Sequence, residues 1–88
     1  MLNQLVLVGR LQNDLELEKY ENKVKLDIMN NDKIITCYVY NDMALRTLEY
    51  CKKNDLVGIK GHLTMEDNKL EIVVEKITFL SCRDKEQE

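Results

Sequence analysis

Two tyrosines, Tyr38 and Tyr40, stand two residues apart in the run Lys33 to Tyr40, Lys-Ile-Ile-Thr-Cys-Tyr-Val-Tyr. On an extended strand such a pair shares one face at a spacing of about 7 Å. That arrangement suits the stacking of flat rings such as nucleic-acid bases. Ile34 and Thr36 fall on the same face, while Ile35, Cys37 and Val39 fall on the other, where small apolar side chains suit a core. The pair equally suits cover for a sheet or a contact between subunits. Strand alternation and loop position offer Lys23, Lys25, Lys33, Lys60 and His62 as cations for phosphates. Each is also an ordinary solvated charge.

Other chemistries lack their parts. His62 is the single histidine and has no cysteine or second histidine close in sequence for metal ligation. Cys37, Cys51 and Cys82 are odd in number and widely spaced, with no Cys-x-x-Cys pair. They read as reduced thiols rather than a disulfide framework or a zinc site. No glycine-rich loop cradles a phosphate, and no serine or cysteine stands with an evident base. The chain is therefore not expected to be an enzyme, and no catalytic residue, metal or cofactor is expected.

A chain of 88 residues with 44% hydrophobic and 33% charged content suits one soluble domain with an adequate core. That domain is expected over 1–81, with 82–88 a charged, disordered tail. No apolar run approaches the roughly 18 residues of a membrane span, and no signal peptide opens the chain, so a cytoplasmic protein is expected. The net charge of −3 runs against nucleic-acid binding. Distribution outweighs the sum, however. Acids concentrate in Asp14-Leu15-Glu16-Leu17-Glu18 and in the tail, and the basic residues are spread over the strands.

The elements that must carry these side chains are strands, one helix, then strands. Leu5 to Leu11 is a buried strand expected to bend or bulge at Gly9 and then present Arg10. Asp14 to Lys19 alternates and could continue that strand past a bend. Glu21-Asn22 forms a turn, and the second strand sets Val24, Leu26 and Ile28 on one face. Asn30-Asn31-Asp32 makes a tight hairpin into the tyrosine strand. The spacing predicts a helix over 42–53, capped by Asn41 or Asp42 and burying Ala44, Leu45, Leu48 and Cys51. Lys52 and Lys53 fall in its last turn, and Asn54 in the left-handed position beyond. Strands from Leu56 and from Leu70 follow, joined at Glu66-Asp67-Asn68. Gly61 offers a bend, and a bulge is expected near Glu75-Lys76.

Five strands with one helix between the third and fourth make an all-β OB-fold barrel. The opening run, Met-Leu-Asn-Gln-Leu-Val-Leu-Val-Gly-Arg-Leu, closely resembles the start of bacterial single-stranded DNA-binding proteins. Tyr40 to Gly61 is similar to their aromatic strand end, helix and fourth strand. Within it, Leu48-Glu49-Tyr50-Cys51-Lys52-Lys53-Asn54 stands where they carry an Ala-Glu-Tyr-Leu-Lys-Lys-Gly type of segment. Glu71 to Val74 and Ile77 to Leu80 resemble their closing strand. The similarity spans most of residues 1–80.

The resemblance implies a homo-oligomer, dimer or tetramer, that binds single-stranded DNA without sequence preference in replication, recombination and repair. It puts the terminal aromatic of the DNA path at Tyr40 and a basic position at Arg10, turned toward the DNA by Gly9. It also implies a subunit interface along the first strand, at Leu2, Gln4, Val6 and Val8. The departures are specific. There is no tryptophan, and Ile34 takes the place of one. The long basic hairpin between the second and third strands is reduced to Asn30-Asn31-Asp32, and Glu18 stands where arginine is frequent. No flexible tail with an acidic, phenylalanine-ended tip is expected to follow the barrel. Weaker binding over a shorter footprint is expected, without tail-mediated recruitment. A second reading is an accessory like primosomal replication protein N, acting mainly through protein partners such as replication proteins.

Overall fold

The computed structural model describes residues 3–81. Leu2, Cys82 and the tail expected at 82–88 lie outside the described residues. The chain runs β1 (Leu5–Leu11), β2 (Leu17–Glu18), β3 (Lys23–Asn30), β4 (Lys33–Tyr40), α1 (Asn41–Tyr50), β5 (Leu56–Glu66) and β6 (Lys69–Phe79). The five long strands follow one another in the order β1-β5-β6-β4-β3, and β1 pairs again with β3, so the sheet closes on itself. The architecture is the expected OB barrel with one helix. That helix follows β4 rather than the third strand, because β2 is a separate element.

β2 corrects the reading of Asp14 to Lys19 as a continuation of β1. Once the Gln12 amide has bonded the Asp27 carbonyl at 2.8 Å, the chain binds β3 through a side chain: Asn13 donates to the Lys25 carbonyl at 3.0 Å and accepts from the Asp27 amide at 2.9 Å. An amide side chain has replaced a ladder rung there, and backbone pairing resumes only at Leu17 with Val24 and Glu18 with Lys23. Gly9 is likewise not a bulge. Its ladder with β5 runs unbroken from Leu5 to Arg10. It is glycine because a β-carbon there would overlap the Met29 carbonyl oxygen and lie 2.6 Å from Ile28 Cγ2. That point is where β1 leaves β5 and meets β3, pairing Arg10 with Met29.

Alternation places the core as expected: Val24, Leu26, Ile28, Cys37, Val39 and Val57 are fully buried, with Leu7, Leu11, Ile59 and Val74 beside them. Both short hairpins have left-handed central residues, Asn31 and Asp32 at φ 51 and 64, and Asp67 and Asn68 at φ 52 and 62. That geometry matches the twist of paired strands, and Asn and Asp tolerate it. The shift in the β5–β6 ladder between Lys60 and Gly61 leaves Glu75 as the extra residue on β6. This is the bulge expected near Glu75-Lys76.

α1 packs on β2, β3 and β4 and closes the end of the barrel where β4 finishes and β5 begins. It is shorter than expected, and its buried face is rotated. Ala44 and Thr47 are buried with Cys51 just beyond, and Leu48 packs beside them, whereas Leu45 is 49% exposed. Thr47 is tolerated in the core because its hydroxyl donates to the Met43 carbonyl at 2.8 Å. Neither Asn41 nor Asp42 caps the helix. Tyr40 holds the cap position without a side-chain bond. Asn41 is left-handed and bonds Asn22 instead. Lys52 and Lys53 lie past the last turn, and Asn54 is left-handed (φ 81) but returns its amide to Leu11. Tyr50 seals the barrel end against Phe79, ring centroids 5.7 Å apart.

Candidate nucleic-acid interface

The outer face of β3, β4, β6 and β5 gathers several of the residues singled out above. Lys25, Tyr38, Val73 and His62 are register partners in turn across those four strands. Neighbouring strands lie about 4.8 Å apart, so His62 stands roughly 10 Å from Tyr38. One rung away, Lys23 pairs with Tyr40. Tyr38 and Tyr40 are both half-buried, each backed by the strand and open on the outer side.

Lys23 is not a loose cation. Its ammonium sits 4.5 Å from the Tyr38 ring centroid and 5.9 Å from that of Tyr40. The Glu21 carboxylate holds it at 2.9 Å and Glu71 approaches to 3.9 Å, so its side chain is only 18% exposed. The bond to Glu21 raises the Lys23 pKa above its usual value, against a smaller opposing effect of burial. Tyr40 donates its hydroxyl to Glu71 at 3.1 Å. Burial first, and then that carboxylate, push the Tyr40 phenol upward. The two rings are thus fixed in place by a lysine and two glutamates. Cation–π contact and charge-assisted bonds reinforce each other here.

Beside Tyr38 lies a cleft of about 450 Å³ lined by Asn13, Asp14, Glu16, Glu18, Lys23, Lys25 and Tyr38. One wall is therefore acidic. Lys25 is exposed, and among the described residues it makes no ion pair. Thr36 lies on the same outer face, but its hydroxyl donates to Asp27 at 2.7 Å.

At the far end of the row that starts at Lys25, His62 Nδ1 lies 2.5 Å from Glu75 Oε2. The remaining expected site residues are dispersed. Lys60 points outward between Val6 and Lys76. Lys33 sits at the hairpin tip opposite Asn30 and falls in the alternation of the inward set, not that of the tyrosines. Arg10 shares a rung with Met29 and Ile34, four residues or about 13 Å along β4 from Tyr38. Its guanidinium donates to the Asn54 carbonyl at 3.2 Å. Simple alternation puts Arg10 outward, without help from Gly9. Among the expected interface residues, Gln4, Val6 and Val8 are exposed, Val6 by 74%. Leu80 and Val8 flank Gly58 on this outer surface.

Sequence reasoning missed Glu71, Lys76 and the acidic wall as parts of the face. The signal for Glu71 was present, because alternation around buried Val74 sends Val73 and Glu71 outward together. The wall carried no such signal. Asp14 to Glu18 lies away from the tyrosine strand in sequence, and only the crossing of the chain over β3 brings it beside Tyr38.

No protein-family profile matches the chain. Over its whole length it is 28% identical to a single-stranded DNA-binding protein of Staphylococcus epidermidis, covering 83% of that relative in an alignment of 109 residues. The alignment is longer than the 88 residues of the chain, so the relative carries insertions absent here. The crystal structure of Rim1, a mitochondrial single-stranded DNA-binding protein of S. cerevisiae, matches with a TM-score of 0.74 at 19% identity. The match covers 91% of this chain and 95% of that one. A replication protein A heterotrimer bound to ssDNA matches at 0.68 and 16% identity, covering 90% of this chain and 58% of that one. These likenesses define an OB-fold barrel of the kind found in such proteins. In sequence and in fold the chain is similar to single-stranded DNA-binding proteins.

Proposed function

We propose that this protein binds single-stranded DNA without sequence preference on the outer face of β3, β4, β6 and β5. The observation that carries the reading is the pair of half-buried tyrosine rings, adjacent on one strand and held from the side by Lys23. Bases stack on Tyr38 and Tyr40, each contact contributing about 1–3 kcal/mol. Phosphates are held by the exposed lysines along the face, foremost Lys25 with Lys60 further across, and by His62 beside them. Lys33 and Arg10 stand together at the β3–β4 hairpin end of the path, and Thr36 beside the rings. The full-length similarity to a protein named for this activity supports the same conclusion. It acts by binding, not catalysis. The accessory reading, in which protein partners dominate, is not favoured by the comparisons.

The homo-oligomer is formed through β1, with Gln4, Val6 and Val8 at its interface. From Leu5 to Val8 the described backbone pairs with β5 alone; the Val8 carbonyl accepts from the Asn30 side chain at 2.8 Å, and the edge short of it is left for a second copy. None of the described helices is long and apolar enough to cross a membrane. The DNA bound is that of replication, recombination and repair, in the cytoplasm.

A titration tests the reading. Labelled oligothymidine should bind with micromolar or better affinity at low salt, weakening as salt rises because bound phosphates release counterions. Replacing both Tyr38 and Tyr40 by Ala, with the fold intact by circular dichroism, should cost two stacking contacts. That is about 30-fold or more in affinity, at tenfold per 1.4 kcal/mol. Absence of binding at about 50 mM salt, or binding indifferent to both tyrosines, overturns the mechanism.

A further inference from the structure

Tyr20 is the most exposed of the large apolar side chains described, at 91%. Single exposed rings are ordinary on protein surfaces, so exposure alone assigns nothing. Two further observations do. The first is that the turn carrying it is anchored on both sides. The Glu21 amide donates to the Glu18 carboxylate at 2.9 Å, and the Glu21 carboxylate grips Lys23 at the same distance. Asn22 is left-handed (φ 56), accepts from the Asn41 amide at 2.8 Å, and donates to the Asn41 side chain at 3.2 Å. A ring on so firm a base loses little backbone freedom when a ligand meets it.

The second is where the turn lies. Glu18, Lys23 and Tyr40 form one rung across β2, β3 and β4. Tyr20 stands two residues beyond Glu18. Its neighbour Glu21 holds the very lysine that covers Tyr38 and Tyr40. The turn therefore continues the tyrosine face past its edge. This edge is also where Asp14, Glu16 and Glu18 line the cleft beside Tyr38. Carboxylates repel a phosphate backbone. A strand leaving the face in this direction must turn its bases, not its phosphates, toward the protein. An uncharged aromatic ring is the contact that such a passage can use.

We propose that Tyr20 is a third base-stacking residue, held by the anchored β2–β3 turn so that the DNA path runs from Tyr38 and Tyr40 out over the turn. The assignment rests on the single-stranded DNA reading of the face. Of the remaining tyrosines, Tyr50 is engaged with Phe79, so three rings serve the path.

The test uses the whole chain, with Tyr20→Ala and Tyr20→Phe, against oligothymidines of graded length. Tyr20→Ala should unfold within a few degrees of the parent, because the ring supports nothing. It should weaken binding of long oligomers by about 5- to 150-fold, the loss of one stacked base. The shortest oligomers, which reach only Tyr38 and Tyr40, should bind both proteins equally. The slope of log affinity against log salt should not change, because no phosphate contact is removed. Tyr20→Phe should restore the affinity. If the parent binds and Tyr20→Ala binds equally at every length, the assignment is overturned while the face stands. A reduced salt slope in Tyr20→Ala overturns stacking as its role. Failure of the parent to bind any oligomer overturns both readings.

Discussion

Gly9 and Gly58 both lie on strands of the barrel wall, yet alanine should act in opposite directions at the two. Neither glycine has a positive φ, so the difference comes from space alone. At Gly9 a β-carbon would overlap the Met29 carbonyl and crowd Ile28 Cγ2 at 2.6 Å. The obstacle is mostly backbone, and it belongs to the strand that closes the ring. β3 must move away, which strains the Arg10–Met29 and Leu11–Ile28 pairing. Overpacking in a tight interior costs about 1–3 kcal/mol, occasionally more, and a backbone obstacle puts Gly9→Ala at the upper end. At about 4–8 °C per kcal/mol for a domain of this size, a 3 kcal/mol loss lowers Tm by roughly 12–24 °C. At Gly58 the added carbon would meet Leu80 Cδ1 at 3.5 Å and Val8 Cγ2 at 3.8 Å, which is ordinary contact. Gly58→Ala should therefore stabilise by about 0.4–1 kcal/mol, through a less flexible unfolded chain. Thermal and urea unfolding at matched protein concentration read both changes. The reasoning fails if Gly9→Ala melts within about 4 °C of the parent, less than one kcal/mol by the same conversion, or if Gly58→Ala falls as far as Gly9→Ala.

Two further outcomes follow from the core. Burial, and secondarily the charge of Asp27, push the Cys37 thiol from 9.0 up to about 11. The folded chain thus keeps a proton that the unfolded chain loses, so this stability is complete below pH 9 and is lost as pH rises toward 11. Two units correspond to about 3 kcal/mol; urea midpoints across that range should drop steeply in the parent and less in Cys37→Ala. On the helix, Ala44→Leu should destabilise by about 1–3 kcal/mol because Ala44 has no exposed surface. Leu45→Lys should stay within about 0.5 kcal/mol, and urea unfolding that ranked these two the other way would reinstate the buried stripe read from the sequence.

Local pattern carried much of the structure. A period of two is a property of neighbouring residues, so Val24-Leu26-Ile28 and Ile35-Cys37-Val39 declared their inner face without knowledge of any partner strand. The turn residues Asn31, Asp32, Asp67 and Asn68 declared hairpins for an equally local reason, their tolerance of left-handed backbone. The shared face of Tyr38 and Tyr40 followed from the same alternation. The helix phase was less secure. Ala44, Leu45, Leu48 and Cys51 make an acceptable stripe on paper. Thr47 displaced Leu45 inward only because its hydroxyl could bond within the helix and its small volume suits the barrel end.

What the sequence determined by itself was the order of the long strands and the helix, the inner face of each long strand, and the tyrosine pair. What only the tertiary structure decided was everything that depends on two distant segments meeting. Asn13 replaces a rung of β3 and so creates β2. The acidic wall crosses over to Tyr38. Lys23 becomes a fixed cation over two rings instead of a free one, because Glu21 from the β2–β3 turn and Glu71 from β6 converge on it. Gly9 belongs to this second group. In the sequence it reads as a kink, but its reason is the Met29 carbonyl, twenty residues away, which only the closing of the barrel brings against it.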